Sequence, residues 1–402
     1  MKKIILLFFT LVVFLTTLIV NAQTDDPLYK KAVELSKKFI IIDTHIDVPY
    51  RVRHKPETDI SQKTEDGHFD YVRVKSGGLN APFMSIYIPA EYQETGGAKA
   101  LADSLIDMVE SFTEKWPDKF KIAASTKDVL NQFSANVISL PMGMENGAGI
   151  EDNLDNLKHF YDRGIRYITL THALNNLICD SSYDTTKTWH GLSSFGKQVV
   201  EEMNRLGIMV DISHVTDETF YQVLLISKAP VIASHSSCRV FTPGWERNMS
   251  DDMIKLLGKN GGVIQITFGS YFVSTKYFDQ SNKIRDYLVE HHLDSDSEEG
   301  KAFIEKFKKE NGFTRGTIKD IADNIDHAVK LAGIDHVGLG SDFDGVTSVP
   351  EGMDDVSCYP NLIYELLKRG YSENEIEKIC SGNILRVWKK VEEISKEMQK
   401  KS

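Results

Sequence analysis

The chain has 402 residues, 41% hydrophobic and 26% charged, with a formal net charge of −11. That mixture supports a sizeable core and excludes a disordered polymer. The acidic balance excludes a general nucleic-acid binder, because phosphate contacts need basic patches.

The opening stretch MKKIILLFFTLVVFLTTLIVNAQ reads as an export signal. Lys2 and Lys3 form its positive end, Ile4 to Val20 its apolar run, and Val20-Asn21-Ala22 its cleavage site. The run is slightly long, so an uncleaved anchor is the competing reading. No later segment is apolar enough to span a bilayer, and the charged ending EEISKEMQKKS excludes a hydrophobic tail anchor. The expectation is a signal peptide at 1–22, cleaved to leave no stable membrane span, and a single domain at 23–402 exported to the periplasm or beyond. Cys179, Cys238, Cys358 and Cys380 form no CxxC and read as free or structural thiols.

Short apolar runs then alternate with longer amphipathic ones. Strands are expected at 39–43, 83–88, 137–142, 165–171, 207–213, 230–235, 261–268 and 336–342. They are mostly apolar on both faces, as parallel strands covered by helices should be. Helices are expected at 97–115, 151–163, 194–206 and 317–333, and after the N-caps Thr216 and Ser250. This order predicts an α/β fold, a (β/α)8 TIM-type barrel with helical insertions near 50–80 and 269–316. An open doubly wound sheet is the alternative, but it calls for a Gly-rich phosphate turn after the first strand, and there is none. The charge-rich stretch 281–310 reads as a solvated helical insertion.

Chemistry in a barrel enzyme sits at the C-terminal ends of strands. Here those ends carry His45 and Asp47, then Glu145, His172, His214, His235, and finally Asp342 and Asp344. A lone histidine at such a place is usually a hydrogen-bonded structural residue. His45 and Asp47, two apart on a strand, point the same way and can meet one ion. Imidazole with carboxylate suits zinc and related divalent metals. The set exceeds what one tetrahedral ion takes and fits a two-metal site. His54, His68, His159, His190, His291, His292, His327 and His336 read as structural.

The motifs "DTHIDVP", "ENGAGIEDNLDNLKHFYDRGIRYITLTHALNN", "GLSSFGKQVVEEMNRLGIMVDISHV", "PVIASHSS", "ERNMSDD" and "GLGSDFDG" occur in order across 39–390. Together they resemble the membrane (renal) dipeptidases, zinc dipeptidases of the amidohydrolase-like barrel group. The resemblance implies two zinc ions: His45 and Asp47 on one, His214 and His235 on the other, and Glu145 bridging. It implies that His172 faces the substrate carbonyl, Arg247 holds the substrate carboxylate, and Asp342 handles the proton and the free amine. Arg239 is the competitor for the carboxylate role. Asn146 departs from the glycine usual after the bridging Glu, and the anchor tail of the animal members is missing.

The expected activity is therefore hydrolysis of dipeptides with a free C-terminal carboxylate, by a metal-bridging hydroxide whose parent water ionises near pH 7. The alternatives are another metal-dependent amidohydrolase, acting on a lactam or acyl-amino acid, and a non-catalytic peptide-binding barrel. Small peptides are the expected partners, and the resemblance implies a homodimer.

Overall fold

The computed structural model describes residues 25–401. The signal expected at 1–22 lies outside the described residues. Among the described residues, ten strands run in chain order: β1 (Ile42–Ile46), β2 (Ala81–Tyr87), β3 (Phe120–Ile122), β4 (Ile138–Leu140), β5 (Met142–Glu145), β6 (Ile165–Thr169), β7 (Met209–Asp211), β8 (Ile232–Ser236), β9 (Val263–Ile266) and β10 (Val337–Leu339). Eight of them form one parallel sheet in the order β1-β2-β5-β6-β7-β8-β9-β10. Its two ends meet: Ile46 bridges Phe343, Asp47 N–H donates to Phe343 O at 2.9 Å, and Asp342 N–H donates to His45 O at 3.0 Å. The sheet thus curls into a barrel flanked by helices, the α/β architecture expected from the sequence.

Burial explains the barrel. Its strands are covered along almost their whole length. Early strand residues Ile42, Ala81, Phe83, Met209, Ile232 and Val263 cluster with Ile384, Val387, Trp388 and Val391 of the helix Asn383–Gln399. That helix closes the N-terminal end of the barrel and leaves the other end for chemistry. Among the described residues, no helix is long and apolar enough to cross a membrane.

Local signals placed several helices, though not Pro27–Lys38, Thr126–Ser134, Tyr359–Lys368 or Asn383–Gln399. Thr216 accepts from Thr219 N–H and Ser250 from Met253 N–H, as N-caps do. Thr317 and Asp320 form a capping box before the helix Ile318–Ala332. The helix expected at 151–163 is shorter, Asp155–Asp162, preceded by a 3-10 turn at Gly147–Ile150.

Two strand expectations need correction. The run 137–142 is not one strand. Pro141, which has no N–H, separates β4 from β5; β4 pairs with β3 in a separate two-stranded sheet, and only β5 enters the barrel. The first strand starts later than 39. Phe39 N–H still caps the helix Pro27–Lys38 through Leu35 O, and Ile41 N–H is taken by the Asn80 side chain.

Candidate metal centre and active site

The C-terminal rim of the barrel gathers the ionisable residues. His45 lies within β1 and Asp47 follows it; Glu145 closes β5, and His235 lies within β8. His172, His214 and Asp342 stand just past β6, β7 and β10. His214 (φ 71°) and Asp342 (φ 64°) take left-handed backbone, an uncommon conformation outside glycine that aims their side chains.

Glu145 sits at the centre. Its Oε2 lies 3.4 Å from His45 Nε2, while its Oε1 lies 3.1 Å from His214 Nε2, 3.3 Å from His235 Nε2 and 3.7 Å from His172 Nε2. His45 Nε2 is 3.5 Å from Asp47 Oδ2, and the Nε2 atoms of His214 and His235 face each other at 2.9 Å. Three groupings have ligand-type atoms within 4.8 Å of one another: His45, Glu145 and His235; Glu145, His172 and His214; His45, Asp47 and Asp342. His172 and Asp342, expected on the substrate side, thus approach the ligand set itself.

The electrostatics follow from burial and charge. Burial alone would raise the Glu145 carboxyl. The surrounding imidazoles, His45 first, overcome it and hold the group well below the usual range. Burial, reinforced by Arg247 and a neighbouring histidine, pushes His214 and His235 well down, so both are neutral near pH 7. Burial would also lower His45, but Tyr167, Glu145 and Asp47 raise it well above its ordinary value. Burial and then the charge of Asp47 push Asp342 well up.

This donor set fits a divalent metal. His45 Nε2 and Asp47 Oδ1 are buried without a hydrogen-bond partner. Such atoms each cost about 1–3 kcal/mol unless something satisfies them. Imidazole nitrogens and carboxylate oxygens converging without protein donors are what a cation needs.

Residues that sequence reasoning passed over hold the ligands in place. Tyr167 OH lies 2.7 Å from His45 Nδ1, and Ser234 Oγ lies 2.7 Å from His235 Nδ1. A polar residue inside an apolar strand was the available signal. Asn146 has φ 77°, which accounts for glycine being usual there. Its side chain compensates, donating to Ile88 O at 3.0 Å and accepting from Ala148 N–H at 3.2 Å.

A cavity of about 620 Å³ opens over the rim, lined by Asp47, Glu145, His172, His214 and Asp342 with Tyr50, Tyr87, Tyr183, Tyr271 and Phe272. The Tyr87 ring meets His172 edge-on at 4.8 Å. Tyr277 and Ser281, on the helix Thr275–Glu290, also reach the cavity, so the second insertion supplies part of its wall. The helix Glu298–Asn311 buries only Gly300 and is solvated, as its charge suggested.

Arg247 is buried one layer back, its guanidinium 5.1 Å from the Phe272 ring centre. It donates to Ser236 Oγ and His235 O, each at 2.8 Å, which leaves three of its five N–H donors. Arg239 is committed elsewhere, forked onto Asp217. His68, His159, His327 and His336 pair with Asp344, Asp103, Asp251 and Gly262 O, outside the three groupings.

A parallel α/β barrel with imidazoles and carboxylates at its C-terminal rim defines a barrel hydrolase of the metal-dependent kind. The chain matches the membrane dipeptidase family, peptidase family M19, over residues 29–402, and it belongs to that family of metallo-dipeptidases. It is 35% identical over 391 residues to dipeptidase verJ of Clonostachys rogersoniana, covering 94% of this chain and 90% of that one. Its fold is similar to the crystal structure of the probable dipeptidase PvdM from Pseudomonas aeruginosa, with a TM-score of 0.80, 27% identity, and 91% and 99% of the two chains covered. It is also similar to dipeptidase AC, a metallopeptidase of family M19, with a TM-score of 0.72, 25% identity, and 88% and 98% covered.

Proposed function

We propose that the protein is an exported dizinc dipeptidase that cleaves dipeptides bearing a free C-terminal carboxylate. The observation that carries this reading is the division of Glu145: one oxygen faces His45, the other faces His214 and His235. In this assignment His45 and Asp47 would hold one zinc, His214 and His235 would hold the other, and Glu145 would contribute to both. The nitrogen–oxygen donor set favours zinc over the oxygen-seeking cations. When bound, the two ions supply an ionised water at neutral pH and polarise the scissile carbonyl.

The chain's own residues do the rest. His172, lowered by burial and so neutral, lends an N–H to the carbonyl oxygen as negative charge grows there. Asp342, on the opposite side, receives the free amine and carries the proton toward the leaving nitrogen. Arg247 provides positive charge for the substrate carboxylate; its field already bears on His172, His214 and Asp342. Holding both ends of the substrate limits its length to two residues. Residues 23–402 act as one exported domain after signal removal, assembled as a homodimer.

Chromatographic assay of free dipeptides against their C-terminal amides, N-acetyl forms and tripeptides tests the reading. Strong preference for the free dipeptide supports it. Equal turnover of N-acetyl substrates replaces it with an acyl-amino-acid hydrolase.

A further inference from the structure

The three histidines around Glu145 are not supported alike. His214 Nδ1 is buried without a partner, and His45 Nδ1 meets a phenol. His235 Nδ1 meets the Ser234 hydroxyl at 2.7 Å, and that hydroxyl lies 2.6 Å from Asp211 Oδ2. Asp211 closes β7 and is fully buried in an otherwise apolar stretch. Nothing in the proposed chemistry uses it.

The donors around it can be counted. Asp211 Oδ1 accepts the backbone N–H of Ser213 at 3.1 Å and of Ser234 at 2.8 Å. Asp211 Oδ2 accepts the hydroxyls of Ser234 at 2.6 Å and Thr169 at 2.5 Å. Four donors fill the roughly four acceptor positions of a carboxylate. The Ser234 hydroxyl has a single proton, and it is committed to Asp211. Its oxygen can then only accept, so His235 must carry its proton on Nδ1. The bare lone pair falls on Nε2, the atom that lies 3.3 Å from Glu145 Oε1 and 2.9 Å from His214 Nε2.

We infer that Asp211, acting through Ser234, fixes the tautomer and ring orientation of His235, so that Nε2 is presented ready to ligate. Asp211 and Ser234 are positioning residues: they touch neither substrate nor metal. The same carboxylate ties β7 to β8 through the Ser234 N–H, so the strand pairing that builds the barrel also aims the ligand. The consequence for metal binding rests on the two-ion reading above; the tautomer does not. A ligand whose outer nitrogen is held in this way binds metal more tightly, typically by about 10–100-fold.

The test uses the full mature protein, metal-free and labelled with ¹⁵N-histidine. Long-range ¹H–¹⁵N spectra report which nitrogen of each imidazole carries the proton, with His235→Gln giving the assignment. Wild-type His235 is expected in the Nδ1–H form, and Ser234→Ala is expected to shift it toward Nε2–H. A merely structural role for Ser234 would not move that signature. Ser234→Ala keeps the backbone N–H to Asp211, so folding is retained, which a melting curve checks. Zinc titration against a competing chelator is expected to show one of two equivalents weakened by roughly 10–100-fold in Ser234→Ala. A wild-type His235 in the Nε2–H form, or unchanged zinc affinities in Ser234→Ala, overturns the inference. If the wild type takes up no zinc, the two-ion reading fails, and the spectra still decide the tautomer.

Discussion

Tyr167 on β6 occupies the space that a side chain at Gly143 on β5 would fill. A Cβ at Gly143 would stand 2.0 Å from Tyr167 Cζ, and the two residues are register partners. The missing side chain lets the phenol reach His45 Nδ1. Gly143→Ala is therefore expected to displace Tyr167, destabilise the fold by about 1–3 kcal/mol through overpacking, and weaken metal binding by roughly 10–100-fold. Urea unfolding and a metal titration check this; wild-type affinity in the variant would show that the phenol does not support the site.

Arg247→Ala is expected to raise KM for free dipeptides by roughly tenfold to a hundredfold, the worth of about 1.5–3 kcal/mol for a charged hydrogen bond. Arg239→Ala is expected to leave KM unchanged, because that guanidinium is spent on Asp217. Steady-state kinetics on both variants distinguish them. An unchanged KM in Arg247→Ala removes the carboxylate assignment.

Asp342→Asn keeps the shape of the rim and removes proton handling. The expected loss is in kcat, about 10²–10⁴-fold, with metal content retained by elemental analysis. Full activity in this variant refutes the role.

The metal-free protein has its own pH signature. Burial opposes the charged forms of both His45 and Glu145, yet Tyr167 and then Glu145 raise the first, and His45 depresses the second. The raised histidine stabilises fully below its unfolded value near 6.5, and that contribution is lost as pH rises through the folded value. The depressed carboxyl stabilises fully above its unfolded value near 4.3, and that contribution is lost as pH falls through the folded value. Chelated protein should thus gain most from the pair between about pH 4.3 and 6.5. Melting temperatures of chelated wild type and His45→Gln across this range check it; parallel profiles would deny the pair any role.

Much of this was written in local sequence. The caps at Thr216 and Ser250 and the apolar strand runs are short-range signals, and they located the barrel. Residues 137–142 misled because continuous hydrophobicity does not reveal that Pro141 breaks the ladder and sends its two halves to different sheets. At the rim, ionisable side chains ending apolar runs were conspicuous, which is why His45, Asp47, Glu145, His172, His214, His235 and Asp342 could be singled out. Their supports were not. Tyr167, Gly143, Asp211 and Ser234 act across neighbouring strands, and a contact set by strand register has no fixed spacing in the chain. The wall contributed by Tyr271, Phe272 and Tyr277 belongs to an insertion whose packing only the tertiary structure determines.

Elemental analysis of the purified protein, paired with a dipeptide assay before chelation, after it and after zinc is restored, decides whether bound metal drives the hydrolysis. Two divalent ions per chain, with turnover abolished by chelation and recovered with zinc, is the predicted result. Protein without stoichiometric metal, whose turnover survives chelation, would contradict it.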